Sequence, residues 1–192
     1  MQVLNGSLED IDTIFTLYRK AIDYQKAHGY NEWKGFERDL IVTEINEKRL
    51  WKIIIDGQIA CIFSVAYSDP VIWGENASLP SEGGWIEENQ YSTETIPPSG
   101  GRGAIYLHRI STNPAFKGRN MMQVIIDWSK NHIKETGRKY IRMDTWADNK
   151  NLADYYVKCG FTIVGSRQLD KDTKGLPKHY STLSLTLFEI GL

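Results

Sequence analysis

The stretch "NPAFKGRNMMQVIIDWSKNH", residues 113–132, decides how the rest of the sequence is read. It opens with turn residues, passes through Lys117, Gly118 and Arg119, and becomes an apolar run with Met121, Val124, Ile125 and Trp128 on one side of a helix. Residues 104–112 before it read as a strand, so the whole segment is strand, turn and helix. A helix N-terminus presents unpaired N–H groups and partial positive charge, which together attract phosphate. Gly118 lets the backbone approach an anion closely, and Lys117 and Arg119 add charge. The dipole alone contributes only about 0.3–2 kcal/mol, so a cradle needs several amides acting together. Neither GxxxxGK(S/T) nor GxGxxG is present. On this stretch alone, an anion cradle and an ordinary helix start that carries two cations both stay open.

Working outward, residues 7–26 read as a helix that Ser7 can cap, with Ile11, Ile14, Phe15, Tyr18 and Ile22 in one stripe. A second, weaker helix covers 36–48. The run "LWKIIIDGQIACIFSVAY" gives two strands joined at Asp56-Gly57, a pair that tolerates positive φ and so favours a hairpin. Downstream, helix 118–136, strand 139–145, helix 149–159, strand 161–167 and closing strand 179–190 follow in order. This alternation predicts an α/β layered single domain with a sheet at its centre.

Residues 68–103 differ in character, being rich in Pro and Gly yet holding Trp73 and Trp85. A loop this long inside a compact domain is commonly functional. Its acids, Asp69, Glu75, Glu82, Glu87, Glu88 and Glu94, face a single base, Arg102. That balance predicts either a solvated face anchored by the two tryptophans or a surface that attracts a cationic amine, with Trp73, Trp85, Glu87 and Glu88 as substrate contacts.

The 192-residue chain is 41% hydrophobic and 24% charged, with a formal net charge of −1, which argues against a general nucleic-acid binder. No apolar run is long enough to cross a bilayer, and "MQVLNGSLED" has neither a basic nor an apolar leader pattern. Cys61 and Cys159 form no metal spacing and no disulfide framework. The expectation is a cytoplasmic protein with reduced thiols, no resident metal, no nucleic acid and no membrane partner.

The stretch "DTWADNKNLADYYVKCGF", residues 144–161, weighs on the open question. Asp148 or Asn149 can cap a helix whose Leu152, Tyr155, Tyr156 and Cys159 share a face, and Gly160 ends it. In isolation Tyr156 reads as a core residue. Taken with the turn, however, it resembles the GNAT superfamily of acyl-CoA-dependent N-acyltransferases. That family shows a strand, a V-x-P step, an (R/Q)-x-x-G-x-(G/A) turn opening a helix, and a later N-x-x-A-x-x-x-Y-x-x-x-G-F. Here Thr112-Asn113-Pro114, the turn at 117–122, Asn149, Tyr156, Gly160 and Phe161 fall in register. Lys117, Asn120 and Met122 depart from the pattern. Asn tolerates a left-handed backbone, whereas Met122 is bulkier than the usual small residue.

The resemblance implies a central mixed, mostly antiparallel sheet flanked by helices, with residues 68–103 inserted before the fourth strand. It implies acetyl-CoA as acyl donor and a small-molecule or peptide amine as acceptor. The amides of Lys117, Gly118, Arg119, Asn120, Met121 and Met122 would hold the diphosphate. The backbone of Ile110 and Thr112 and the side chain of Asn149 would hold the pantetheine arm. Tyr156 would act as general acid toward the departing sulfur. A base is expected from His108, which by strict alternation shares a strand face with Ile110 and Thr112, or from Asp144. Cys159 lies at a helix C-terminus, which disfavours a thiolate, so it reads as a packing residue. A non-catalytic acyl-CoA-binding module on the same fold is the alternative.

Overall fold

The computed structural model describes residues 1–74, 103–169, 173 and 184–192. Trp85, Glu87 and Glu88 therefore lie outside the described residues.

Among the described residues, seven strands form one sheet: β1 (Gln2–Asn5), β2 (Leu50–Ile55), β3 (Gln58–Ala66), β4 (Ala104–Thr112), β5 (Tyr140–Trp146), β6 (Thr162–Gln168) and β7 (Ser184–Gly191). Their order is β1-β2-β3-β4-β5-β7-β6, with β4 and β5 parallel and the other neighbours antiparallel. The sheet is thus mixed and mostly antiparallel, as expected. The β2–β3 turn is made by Asp56 and Gly57, at φ 50° and 75°, the left-handed pair that a two-residue hairpin requires.

Helices α1 (Ile11–Ala27) and α2 (Arg38–Asn46) cover one face of the sheet. The apolar stripe of α1 buries Ile11, Ile14, Leu17 and Tyr18 against Ile41, Ile45, Leu50 and Ile62. Its start is fixed by a short 3-10 turn, where the Asp10 carboxylate accepts from the Ser7 N–H at 2.7 Å and from Lys52 at 2.5 Å. Helices α4 (Met121–Glu135) and α5 (Lys150–Lys158) cover the other face, over Phe63, Ile105, Leu107, Ile141, Met143 and Phe188. A short helix α3 (Pro70–Trp73) lies in the segment read as insert. Asp69 caps it, and Pro70 occupies its first turn, where the missing N–H costs nothing. Strand β1 was not expected, because four residues are too few to show a periodicity.

Candidate active site

The site follows from one irregularity of strand pairing. β4 and β5 pair only from Ala104–Tyr140 to Leu107–Met143, yet β4 continues to Thr112 and β5 to Trp146. Beyond Leu107 no further β4–β5 pair forms among the described residues, so the two strands part and leave a gap in the ladder. Two parallel strands that separate leave backbone donors and acceptors without a ladder partner, which a buried site must satisfy with a ligand or water.

β4 also bulges at this point. Opposite Phe63 of β3 stand two residues, Arg109 and Ile110, because Ile62 pairs with Ser111 and Ser64 with His108. Arg109 takes φ 49°, a left-handed backbone in mid-strand. The bulge changes which face each side chain occupies. Ile110 packs with the α4 and α5 side of the sheet, and the Thr112 hydroxyl sits 3.6 Å from Cys61 Sγ on that side. Arg109 reaches Glu44 of α2 on the opposite side, and His108 lies with Asp69 and Asp144. The expectation that His108 shares a face with Ile110 and Thr112 is therefore corrected: the extra residue at 109 shifts the alternation by one. No local pattern marks that bulge: residues 104–107 are all apolar and Ser111 and Thr112 are both polar, so the strand has no strict alternation to break.

The bulge is held by a buried charge network. Glu44 accepts from Arg109, from Arg49 at 3.3 Å and from the Ser64 hydroxyl at 2.8 Å, while the Arg109 guanidinium lies 5.9 Å from the Phe36 ring centre. No local spacing shows that these groups meet, since they come from α2, the residue before β2, β3 and β4.

At the mouth of α4 the turn has the geometry of an anion cradle. Lys117 N–H donates to Pro114 and Arg119 N–H to Phe116, whereas Gly118, Asn120, Met121 and Met122 donate no hydrogen bond among the described residues. Gly118 has φ 82°, a conformation that glycine adopts at no cost. Asn120 has φ 52° and ψ 42°, the left-handed conformation foreseen for it. Met121 and Met122 send their side chains into the core, where they are 4% and 3% exposed, so the bulk of Met122 does not enter the cradle. Lys117 and Arg119 are exposed beside it.

On the same face, Tyr156 of α5 packs its ring against Phe161 and Phe188 at centroid distances of 6.2 and 5.6 Å. Its hydroxyl makes no hydrogen bond to a described residue. Burial raises the phenol well above its ordinary range, and Tyr155, Cys159, Cys61 and Asp144 push it further. Of these, Cys61 pairs with Thr112 at the end of β4, and Asp144 stands on β5. Asn149, rather than Asp148, caps α5 by accepting from Leu152 N–H at 3.1 Å, which leaves its amide donor available. Cys159 closes the C-terminal end of α5 as a partly buried packing residue.

The opposite face of the gap holds a titratable cluster. One side-chain nitrogen or oxygen from each of Asp69, His108 and Asp144 lies within 4.8 Å of the other two. Asp69 Oδ2 is 3.4 Å from His108 Nε2, and burial pushes the Asp69 carboxyl up to about 6. Trp73 does not line this cluster with an open face: Arg142 sits 4.8 Å from its ring centre and Tyr106 5.7 Å away, the arrangement of an anchor. Arg142 is itself buried and bonds Glu189 at 2.7 Å. Asp69 is the residue that motif reading passed over, although an Asp before a Pro marks a helix start.

No protein-family model matches the chain. The uncharacterized N-acetyltransferase YesJ of Bacillus subtilis is 21% identical over 166 residues, covering 82% of this chain and 79% of its own length. A GNAT-family acetyltransferase structure from Streptococcus agalactiae superposes with a TM-score of 0.69 at 21% identity, covering 100% of this chain and 95% of that one. One from Listeria monocytogenes gives 0.68 at 20% identity, covering 100% and 94%. At this identity the likeness shows the fold: the mixed, mostly antiparallel sheet flanked by helices that the resemblance implied is the fold of these GNAT-family acetyltransferase structures.

Proposed function

We propose that this protein is an N-acetyltransferase that moves an acetyl group from acetyl-CoA to a primary amine by direct attack. The observation that carries the reading is the gap between β4 and β5. It lies between the unbonded amides and the phenol, which belong to one face of the sheet, and the carboxylate–imidazole cluster, which belongs to the other, and this supports the reading.

The chain's own groups divide the work. The unpaired amides of Gly118, Asn120, Met121 and Met122 bind the diphosphate, assisted by Lys117 and Arg119. Asn113 N–H is turned to Ala60 of β3, so by alternation the backbone of Thr112 faces the gap, as does that of Ile110 two residues earlier. These groups and the free amide of Asn149 align the pantetheine arm. The Ile110 N–H, aimed by the bulge, stabilises negative charge on the thioester oxygen during attack. Tyr156 is neutral throughout the working pH range and donates to the departing sulfur. His108 and Asp144 face the acceptor side, where protons must leave the nitrogen.

Met122 has its side chain in the core and Asn120 takes the left-handed backbone suited to a turn glycine, so both departures from the family turn are compatible with the reading. The deciding experiment is release of the coenzyme A thiol from acetyl-CoA with a panel of primary amines, including peptides with a free N-terminus. Amine-dependent release supports the reading. Binding of acetyl-CoA without release on any amine contradicts it and supports the non-catalytic module.

The cradle makes its own prediction. Gly118→Ala forces a residue with a Cβ into left-handed backbone, a strain of about 1–2 kcal/mol. The turn relaxes, and binding has to restore it, so the acetyl-CoA KM is expected to rise roughly tenfold with kcat little changed. Steady-state kinetics with varied acetyl-CoA checks this; an unchanged KM removes the turn from the binding site.

A further inference from the structure

We propose that Asp69, at the start of α3, is the base that deprotonates the acceptor ammonium in the acetyltransferase reaction. This rests on the transferase reading and deepens it, assigning a role to a residue outside the motifs.

Three observations bring Asp69 to this role. The first is position. α3 crosses the sheet where β4 and β5 part: Trp73 packs on Tyr106 and Arg142, in the paired part of the two strands, and Asp69 reaches His108 and Asp144 one step beyond it. The carboxylate therefore stands at the acceptor end of the gap, on the face opposite the Tyr156 ring. The second is its bonding. Oδ1 caps α3 by accepting from Ile72 N–H at 3.4 Å, which fixes the rotamer. Oδ2 is shielded from solvent and accepts no hydrogen bond among the described residues; His108 Nε2, at 3.4 Å, is near but not aligned to donate. A buried carboxylate oxygen without a donor is costly unless something else donates to it. A primary ammonium entering the cluster supplies that donor. The third is basicity. Burial is the largest influence and raises the carboxyl, while the Ile72 N–H and Arg109 lower it in part. Among the described residues, His108 and Tyr106 of β4 and Asp144 of β5 are the other titratable groups that face it. The net result is a base at about 6, ionised at neutral pH and far more basic than a solvated aspartate.

The proton balance is complete. The ammonium N–H bond breaks and its proton passes to Asp69 Oδ2, leaving a neutral amine whose lone pair attacks the thioester carbon. The C–N bond forms, the C–S bond breaks, and the electron pair leaves on sulfur, which takes the Tyr156 proton. The second nitrogen proton restores the phenol. Asp69 returns its own proton to water through the mouth of the gap, so the turnover releases one proton.

The test is Asp69→Asn, which retains an oxygen to cap α3, measured as kcat/KM for a simple alkylamine against pH at saturating acetyl-CoA. With Asp69 as base, the wild type binds the ammonium, and its profile rises to about pH 6 and then levels. Without the base only the neutral amine reacts. The Asp69→Asn profile should climb with unit slope toward the amine's own pKa, and at neutral pH fall by about 10²-fold, with acetyl-CoA affinity unchanged. Thermal melts exclude a folding defect. A carboxyl whose folded pKa lies above its unfolded value destabilises the fold once pH exceeds both and has no effect below both. Asp69→Asn should therefore melt higher than wild type above about pH 6 and equally in acid. A level profile in Asp69→Asn with activity near that of wild type overturns the role while leaving the transferase reading intact. A wild type without turnover on any amine overturns both.

Discussion

Replacing Tyr156 by phenylalanine is expected to slow turnover by about 10²–10⁴-fold, the usual contribution of a positioned general acid. The fold and the affinity for acetyl-CoA should not change. The ring contacts with Phe161 and Phe188 survive the substitution, and no hydrogen bond to a described residue is lost. The thiol that leaves has an ordinary pKa of roughly 8.5, but as the C–S bond breaks, away from bulk water, its charge needs a donor. A hydrogen bond from the phenol is then worth more in the transition state than in the bound substrate, so the loss should fall on kcat rather than KM. Burial guarantees that the hydroxyl keeps its proton at every working pH. Single-turnover rates of Tyr156→Phe at saturating acetyl-CoA measure the effect, and an unchanged rate removes Tyr156 from the chemistry.

The largest stability effect is expected at Glu44. Its side chain is 4% exposed and that of Arg109 8%, so Glu44→Ala leaves a buried guanidinium without its counter-ion. Breaking such a pair from one side costs about 3–5 kcal/mol. Denaturant unfolding should show the loss, and because Arg109 sits at the bulge, transfer should weaken as well. Arg109→Gly in the Glu44→Ala background removes the stranded charge and suits the positive φ at that position. The double variant should therefore be more stable than Glu44→Ala alone. A double variant that is less stable would show that the pair contributes little and that Arg109 matters through other contacts.

The parts of this structure legible in the sequence are those set by local spacing. The turn at 117–122 and the helix carrying Asn149 and Tyr156 are each a contiguous segment whose residues face one way because of helical periodicity. The hairpin at Asp56-Gly57 was legible for the same reason. What could not be read depends on register between distant strands. The bulge at Arg109 reverses the side to which His108 points, and it exists because β3 offers one residue where β4 offers two. The meeting of Asp69 with His108 and Asp144 depends on α3 crossing two strands, and the Glu44 network draws on three elements. Trp73 illustrates the intermediate case: its importance to the segment was visible, but its partner Arg142 was not.

The central claim is that the gap between β4 and β5 seats the acyl donor, with its diphosphate on the turn and its sulfur beside the phenol. A crystal structure of the protein with acetyl-CoA tests this most directly. The account predicts diphosphate oxygens within hydrogen-bond distance of the Gly118, Asn120, Met121 and Met122 amides, and the thioester sulfur next to Tyr156 Oη. A donor bound elsewhere, or a sulfur remote from that hydroxyl, would contradict it.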